Sequence, residues 1–532
     1  MGTTFSHPFL MRSIPSLHIK TRPFIKYLVL VLLIAIPLFW HLGKLPIILC
    51  DEARLAINAY EMVKDNNFII PHYLGQPEMW NTKPPLLISI QSFFMKLLGA
   101  NEFAFRLPSA LAAFSTCVVL LTFFMKYFKD FWLGFIVILV LITSQGYVGI
   151  HASRTGDYDA LLTLFTTTSG LLFFVFCETR KHKYLYLFFT FITLAVLTKG
   201  IAGLLFAPAF VIYSIFQKQF VPLLKNKHTY ISILLFVSTI ASYYLIREFY
   251  NPGYLIAVLE NELTGRYLKV NEYNEGSIIF YFKNFVVYRF SSWYALIPFG
   301  IIVGLTINNK KINRISLFSL LMVAVFITVI SLSQTKLPWY DLPMYPFLSI
   351  IVSGFIYYIF SLLRDLNWNN FLHHLKSRNR LNLSTNFNKS NWISFPKAIS
   401  FSFLFLVCIS PYQQIIKNIY KTEKMYRLEN NNLKDYEVIH FLRNSISKEY
   451  NLDQKFILYD THPTHYSNIL FYLYNLNDIG IDISLKDWKD LSKGDVVLAN
   501  QDHIKKYIDD NYKSEIIQTS GSLTEYKIND RK

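Results

Sequence analysis

Apolar runs of roughly 18 to 22 residues recur along this chain, the length that crosses a bilayer core, and short polar segments interrupt them. The run from Tyr27 to Ile48 follows Arg12, Lys20, Arg22 and Lys26 and exceeds the apolar core of a signal peptide. It reads as an uncleaved anchor with the amino terminus inside. The segment PLLISIQSFFMKLLG is apolar for only about fifteen residues and holds Lys96, which suits an interfacial or re-entrant helix rather than a span. Further spans are expected at Phe103 to Phe124, Phe131 to Ile150, Leu161 to Cys177, Tyr184 to Leu197, Ile201 to Phe216 and Tyr230 to Ile246. After a long polar loop come Val286 to Ile307, Ile315 to Ser331, Leu342 to Leu363 and Phe401 to Ile416. With the short segment left out, every inner loop is basic, as cytoplasmic loops are. Counting it would put Arg180, Lys310 and the basic stretch from Arg364 to Lys397 outside. The pattern predicts a polytopic α-helical membrane protein of about eleven spans with its carboxy terminus outside.

From about Asn418 the sequence turns mixed polar. KFILYD and DVVLAN read as strands, each followed by a helix-like stretch, and EIIQTS and LTEYKI read as closing strands. The expected organisation is a membrane module over 1–417 and a small soluble extracytoplasmic α/β domain over 418–532. Neither a nucleotide-binding glycine fingerprint nor a P-loop is present, which argues against an ATP-driven pump.

Composition agrees. Of 532 residues, 53% are apolar, 17% aromatic and only 16% charged, with mean hydropathy +0.30. Soluble chains carry about a quarter charged residues. The net charge of +17 lies in short clusters between apolar runs, where it signals topology rather than nucleic-acid binding. Cys50, Cys117, Cys177 and Cys408 are scattered and mostly inside apolar runs, so they indicate neither a disulfide framework nor a thiolate metal site. Leu49 stands where lipoprotein processing needs a small residue, so Cys50 is not read as a lipid anchor.

The chemistry is concentrated in DEAR (Asp51 to Arg54), RTGDYD (Arg154 to Asp159), TKG (Thr198 to Gly200) and QTKLPWY (Gln334 to Tyr340). The parity above brings all of them to the outer face, whose expected loops are 51–102, 151–160, 247–285 and 333–341. Asp51 and Glu52 open a stretch in which Ala53, Ala56, Ile57 and Tyr60 recur at helical spacing, so a surface helix with its acids at its start is expected. An acidic N-cap would explain Asp51 alone. The second acid points further. Asp159 stands directly before ALLTLF at the mouth of a span, where an unpaired carboxylate is expensive, with Asp157 as the alternative nearer the loop. Lys83 precedes Pro84 and Pro85, Lys199 lies between Thr198 and Gly200, and Lys336 is followed by Trp339 and Tyr340. Each lysine alone reads as a snorkelling cation. Three of them beside two acids on one face suggest a phosphate site, to which Arg266 of NELTGRY could add bidentate contacts. Glu102 and Arg106, four apart, read as a helix-surface pair.

The stretches DEARLAINAYEM, NTKPPLL, NEFAFRLPSAL, SRTGDYDALLTLF, LTKG and SQTKLPWYDLPMYPFL, in this order and spacing, resemble the GT-C glycosyltransferases of the aminoarabinose-transferase and protein-mannosyltransferase type. The likeness covers roughly the first 360 residues and not the carboxy-terminal domain. It implies transfer of one sugar, with inversion, from a polyprenyl-phosphate donor to an acceptor hydroxyl outside the cytoplasm. The acceptor class would be lipid A, another glycolipid, a polysaccharide or a protein. In that picture Asp51 matches the general base and Asp159 the second acid, with Glu52 beside them. Lys83 matches the lysine at the donor phosphate, which Lys336 and Tyr340 also face. Family members often have Glu before that lysine, where it has been linked to a metal; here the position is Thr82, and NELTGRY lacks the histidine some relatives carry. Asp51, Glu52 and Asp159 could still gather a divalent metal.

The rival class is a transporter or flippase of a lipid-linked sugar. Paired acids at loop mouths suit proton abstraction better than passage, and no internal repeat with polar groups at mid-bilayer is evident.

Overall fold

The computed structural model describes residues 23–48, 51–268, 275–365, 395–428, 432–446, 455–459 and 466–532. Cys50, the Arg266 side chain and most of the basic stretch from Arg364 to Lys397 lie outside the described residues. Among the described residues, seven helices are long and apolar enough to cross a membrane: Glu102–Phe128, Asp159–Thr179, His182–Leu204, Lys227–Tyr250, Lys310–Leu332, Pro338–Asp365 and Pro396–Thr422. The chain is a multi-pass membrane protein. Phe24–Phe39, Phe131–Ile142 and Ala207–Phe216 are shorter apolar helices, as is Leu86–Leu98, the segment left out of the span count.

Several expected spans differ, each for a local reason. The first helix stops at Phe39 rather than continuing to Ile48, because the Arg154 guanidinium takes the carbonyls of Pro37 (2.8 Å) and Trp40 (2.7 Å). The helix from Phe131 ends at Ile142, where Thr143 and Ser144 turn their hydroxyls back onto Leu139 O and Val140 O, both at 2.6 Å. Val286 to Ile307 is not one straight span. Phe280–Arg289 and Tyr294–Thr306 meet at 110°. At the break Arg289 is held by Asp341 at 2.7 Å, and Trp293 is buried with its Nε1 donating to Thr143 Oγ1 at 3.0 Å.

The helices Asp159–Thr179 and His182–Lys199 pack against each other within the membrane module. The helix Lys227–Tyr250 stands at the periphery: only 11% of its apolar window is buried, and Leu234 and Phe249 are exposed, as lipid-facing side chains are.

The compositional change near Asn418 falls inside one helix, Phe395–Leu428, which leaves the membrane module without a break. Beyond it lies a five-stranded sheet. Numbering strands from the small hairpin β1 (His72–Tyr73) and β2 (Gln76–Pro77), the sheet holds β3 (Lys455–Tyr459), β4 (Ile483–Asp487), β5 (Val496–Ala499), β6 (Tyr512–Ser520) and β7 (Leu523–Arg531) in the order β4-β3-β5-β7-β6. β3 runs parallel to β4 and β5, while β7 is antiparallel to β5 and β6. The α/β character read from the sequence is present, with helices Ser467–Asp478 and Asp502–Asn511 following β3 and β5; β4 is an addition to it.

Candidate active site

The helix Asp51–Asp65 forms where the apolar spacing places it, and Ala53, Ala56, Ile57 and Tyr60 are all buried. Their face does not lie open on a membrane surface. It packs on Leu86–Leu98 and on Ser467–Asp478 of the carboxy-terminal domain. At its start the two adjacent acids separate completely. Asp51 is exposed, while Glu52 is fully buried against Arg106, with Nε to Oε1 at 2.7 Å and Nη2 to Oε2 at 2.8 Å. Glu52 also accepts the Ile48 N–H (2.9 Å) and the Gly156 N–H (3.0 Å), so both of its oxygens, placed beside the site by the sequence, are committed to partners within the fold. Arg106 is likewise no partner of Glu102 on a helix surface: it is buried, and Glu102 accepts from Tyr472 at 2.7 Å. Gly156 is required here, because a β-carbon would stand 2.1 Å from the Phe105 ring.

The loop after Gly156 carries the second acid. Asp159 has both carboxylate oxygens on Lys199 Nζ, at 2.6 and 2.7 Å, in a buried pair. It is not the unpaired carboxylate expected at the mouth of its helix. The group that faces Asp51 is Asp157, together with His151: one ligand atom from each of these residues lies within 4.8 Å of the others. His151 Nδ1 is 3.2 Å from Asp157 Oδ2, and its ring stacks on Trp339 at 3.8 Å. Burial alone would raise the Asp157 carboxyl, yet the charge and hydrogen bond of His151 and the Thr155 hydroxyl hold it below its usual range. Burial would lower His151, and the Asp157 carboxylate outweighs it, so the imidazole is held above its usual value.

Lys83 projects from a loop that Glu78 organises. Glu78 is buried, accepts Arg54 Nε and Nη2 at 2.7 and 2.8 Å, and takes the Trp80 and Asn81 N–H groups at 2.8 and 3.0 Å. Burial opposes ionisation of this carboxyl, but Arg54 and those amides hold it below the usual carboxylate range. Tyr254 donates to Thr82 O at 2.7 Å. The Lys83 ammonium sits 3.1 Å from Glu262, which the π-helical turn Leu259–Leu268 brings in from the large outer loop. An acid does reach this lysine, from NELTGRY rather than from position 82.

Two adjoining cavities share Lys83, Asp159, Lys199 and Tyr340. The larger, of about 390 Å³, continues along Leu162, Ile201, Leu205, Phe326, Val329 and Ile330. The smaller is polar and reaches Asp51, Arg54, Asn81, Asp157 and Trp339. Lys199 lies 4.8 Å over the Tyr340 ring, and its helix ends there because Gly200 takes φ +56°. Lys336 lines neither cavity. Its ammonium is buried on the carbonyls of Ser331 (2.8 Å) and Ser333 (2.6 Å), at the negative end of the helix Lys310–Leu332. It closes the end of that helix and, in this arrangement, stands outside the two cavities rather than beside Lys83 and Lys199.

For a divalent metal, Asp51, His151 and Asp157 present an O, N, O donor set close enough to share one ion. Glu52 and Asp159 do not belong to it, because Arg106 and Lys199 occupy them. His151, Glu262 and Glu78 are additions to the residues singled out from the sequence, and Arg106, read there as a surface partner of Glu102, is instead the buried partner of Glu52. His151 carried one usable signal, an ionisable ring six positions before Asp157 in the same loop.

Comparison with known proteins bears on the fold and on the sequence as a whole. The family model for dolichyl-phosphate-mannose-protein mannosyltransferases matches residues 82–246. An uncharacterised protein of Aquifex aeolicus is 26% identical over 334 residues, 62% of this chain and 64% of that protein. The undecaprenyl phosphate-α-4-amino-4-deoxy-L-arabinose arabinosyl transferase of Aeromonas salmonicida is 27% identical over 338 residues, 60% of this chain and 59% of its own length. The matches thus span about 60% of the length of these relatives. The crystal structure of ArnT from Cupriavidus metallidurans bound to undecaprenyl phosphate superposes with a TM-score of 0.65 at 14% identity, covering 95% of this chain and 98% of that one. The chain is a membrane protein of the GT-C fold, and its sequence is similar to the polyprenyl-phosphate-dependent aminoarabinose transferases and protein mannosyltransferases.

Proposed function

We propose that this protein moves a single sugar from a polyprenyl-phosphate donor to an acceptor hydroxyl on a glycan, lipid or protein, with inversion, at the outer face of the cytoplasmic membrane. The observation that carries the reading is the pair of joined cavities: an apolar one suited to an isoprenoid chain, and a polar one holding acids, with Lys83, Lys199 and Tyr340 at the junction. A lipid-linked phosphate placed at that junction would have its chain in the first cavity and its sugar in the second.

In this reading Asp51, exposed at the head of its helix, takes the proton from the acceptor hydroxyl. The acceptor oxygen bonds the anomeric carbon from one side, and the bond to the phosphate oxygen breaks on the other. The electron pair leaves with the phosphate. The departing phosphate gains one negative charge, which Lys83 and Lys199 stabilise from fixed positions. Glu262 must give up Lys83 to the phosphate, since the two are in contact before the donor arrives. A divalent metal would be held by Asp51, His151 and Asp157 and would supply positive charge beside the acceptor.

Asp51→Asn tests the assignment and separates the transferase from a transporter of lipid-linked sugar. The variant should bind undecaprenyl phosphate as the wild type does and lose sugar transfer, by at least about 100-fold for loss of a positioned base. Transfer at the wild-type rate would show that another group is the base. Mass spectrometry of the cell envelope with and without the protein would identify sugar and acceptor together.

A further inference from the structure

The backbone of residues 41–48, ahead of Asp51, has no regular secondary structure and is held by side chains. Arg106 takes the carbonyls of Leu42 (3.1 Å), Leu45 (2.7 Å) and Pro46 (2.7 Å). The remaining clamps come from the carboxy-terminal domain. Arg443 reaches Gly43 O and Lys44 O at 3.3 and 3.2 Å. Tyr472, buried on the helix Ser467–Asp478, accepts the Ile47 N–H at 3.0 Å and donates to Glu102 Oε1 at 2.7 Å. The hydroxyl therefore uses its single proton on one partner and a lone pair on the other. Glu102 is itself within 3.2 Å of Arg443, so one acid ties both clamps together. Next to Ile47, the Ile48 N–H goes to Glu52, the neighbour of Asp51.

We propose that Tyr472 is a positioning residue for Asp51, and that the carboxy-terminal domain completes the catalytic corner rather than merely decorating it. The inference rests on the proposed role of Asp51. Without the hydroxyl, the Ile47 N–H is left buried without its partner and Glu102 keeps only Arg443, so the segment relaxes and Asp51 moves with it. The aromatic ring of a phenylalanine preserves the packing, which isolates the hydrogen bonds.

The test compares Tyr472→Phe with Tyr60→Phe in the full chain reconstituted in nanodiscs. Tyr60 belongs to the same interface, bonding Asp478 Oδ2 at 2.5 Å and Tyr474 O at 3.0 Å, but sits about 13 Å along the helix from Asp51. Transfer is measured from a polyprenyl-phosphate sugar fraction extracted from the native envelope, undecaprenyl phosphate serves as the binding probe, and amide exchange is followed over 42–55. Tyr472→Phe should lower the maximal rate about 10-fold, leave half-saturation by donor and the binding of undecaprenyl phosphate unchanged, and speed exchange at 42–48. Tyr60→Phe should keep the wild-type rate. Wild-type turnover in folded Tyr472→Phe, or equal losses in both variants, would overturn the proposal. If the wild type itself transfers no sugar, the functional reading falls, while unchanged exchange at 42–48 in Tyr472→Phe still overturns the positioning role and faster exchange confined to that variant still supports it.

Discussion

Replacing Lys199 by methionine is the sharpest probe of how the second acid is held. Asp159 and Lys199 are both buried, and a single ammonium serves both carboxylate oxygens at 2.6 and 2.7 Å. At 2.6 Å the gross attraction is about 6 kcal/mol for an effective dielectric of about 20, most of it offset by the desolvation of both ions. Removing one partner leaves the other uncompensated, so Lys199→Met should cost roughly 3 to 5 kcal/mol. In an Asp159→Asn background the carboxylate is gone and the change also removes a buried uncompensated charge, so it should cost at most about 1 kcal/mol, the worth of the ammonium over the Tyr340 ring. The four proteins form a double-mutant cycle, read by equilibrium unfolding in mixed micelles, with an expected coupling of about 2 to 4 kcal/mol. Equal losses in the two backgrounds would refute the claim that this pair is one electrostatic unit, and would return Asp159 to candidacy as a free acid.

The His151–Asp157 pair predicts a window in pH. His151 is held above its usual value and Asp157 below its own, so their mutual stabilisation is complete between about pH 4 and 6.5, fades as pH rises through the raised value of His151, and fades as pH falls through the lowered value of Asp157. In chelator-treated protein the difference in melting temperature between wild type and His151→Gln should be largest in that window; a difference that stays flat to pH 9 would contradict the pairing. Glu262→Gln should tighten binding of undecaprenyl phosphate several-fold, because the phosphate no longer displaces a carboxylate from Lys83; weaker binding in a titration by fluorescence or calorimetry would contradict it.

Much of this site was legible in the sequence, to the level of which loops meet. DEAR, the lysine before Pro84, RTGDYD and TKG do converge, because short polar breaks between apolar spans have few places to go. Resolution within a loop was not available. Asp51 and Glu52 are adjacent, and what separates them is Arg106, which a helix of a different segment delivers. Asp157 and Asp159 differ only in which is claimed by Lys199, forty residues away. Lys336 looked like a ligand by its aromatic neighbours, but its ammonium turns back on the helix that precedes it. The helix breaks at Ile142 and between Arg289 and Tyr294 were hidden for the same reason: hydropathy reports how apolar a run is, whereas hydroxyls returning to carbonyls and an arginine held by Asp341 decide where it bends.

The bond from Ile47 to Tyr472 closes a loop of 425 residues. Joining ends so far apart is entropically only modestly worse than joining near ones, since the penalty grows with the logarithm of length. Its consequence is temporal. A ribosome making this protein delivers the helix bearing Asp51 near the beginning and the clamp on the segment before it near the end, so nascent chains of every intermediate length lack the bond from Ile47 to Tyr472.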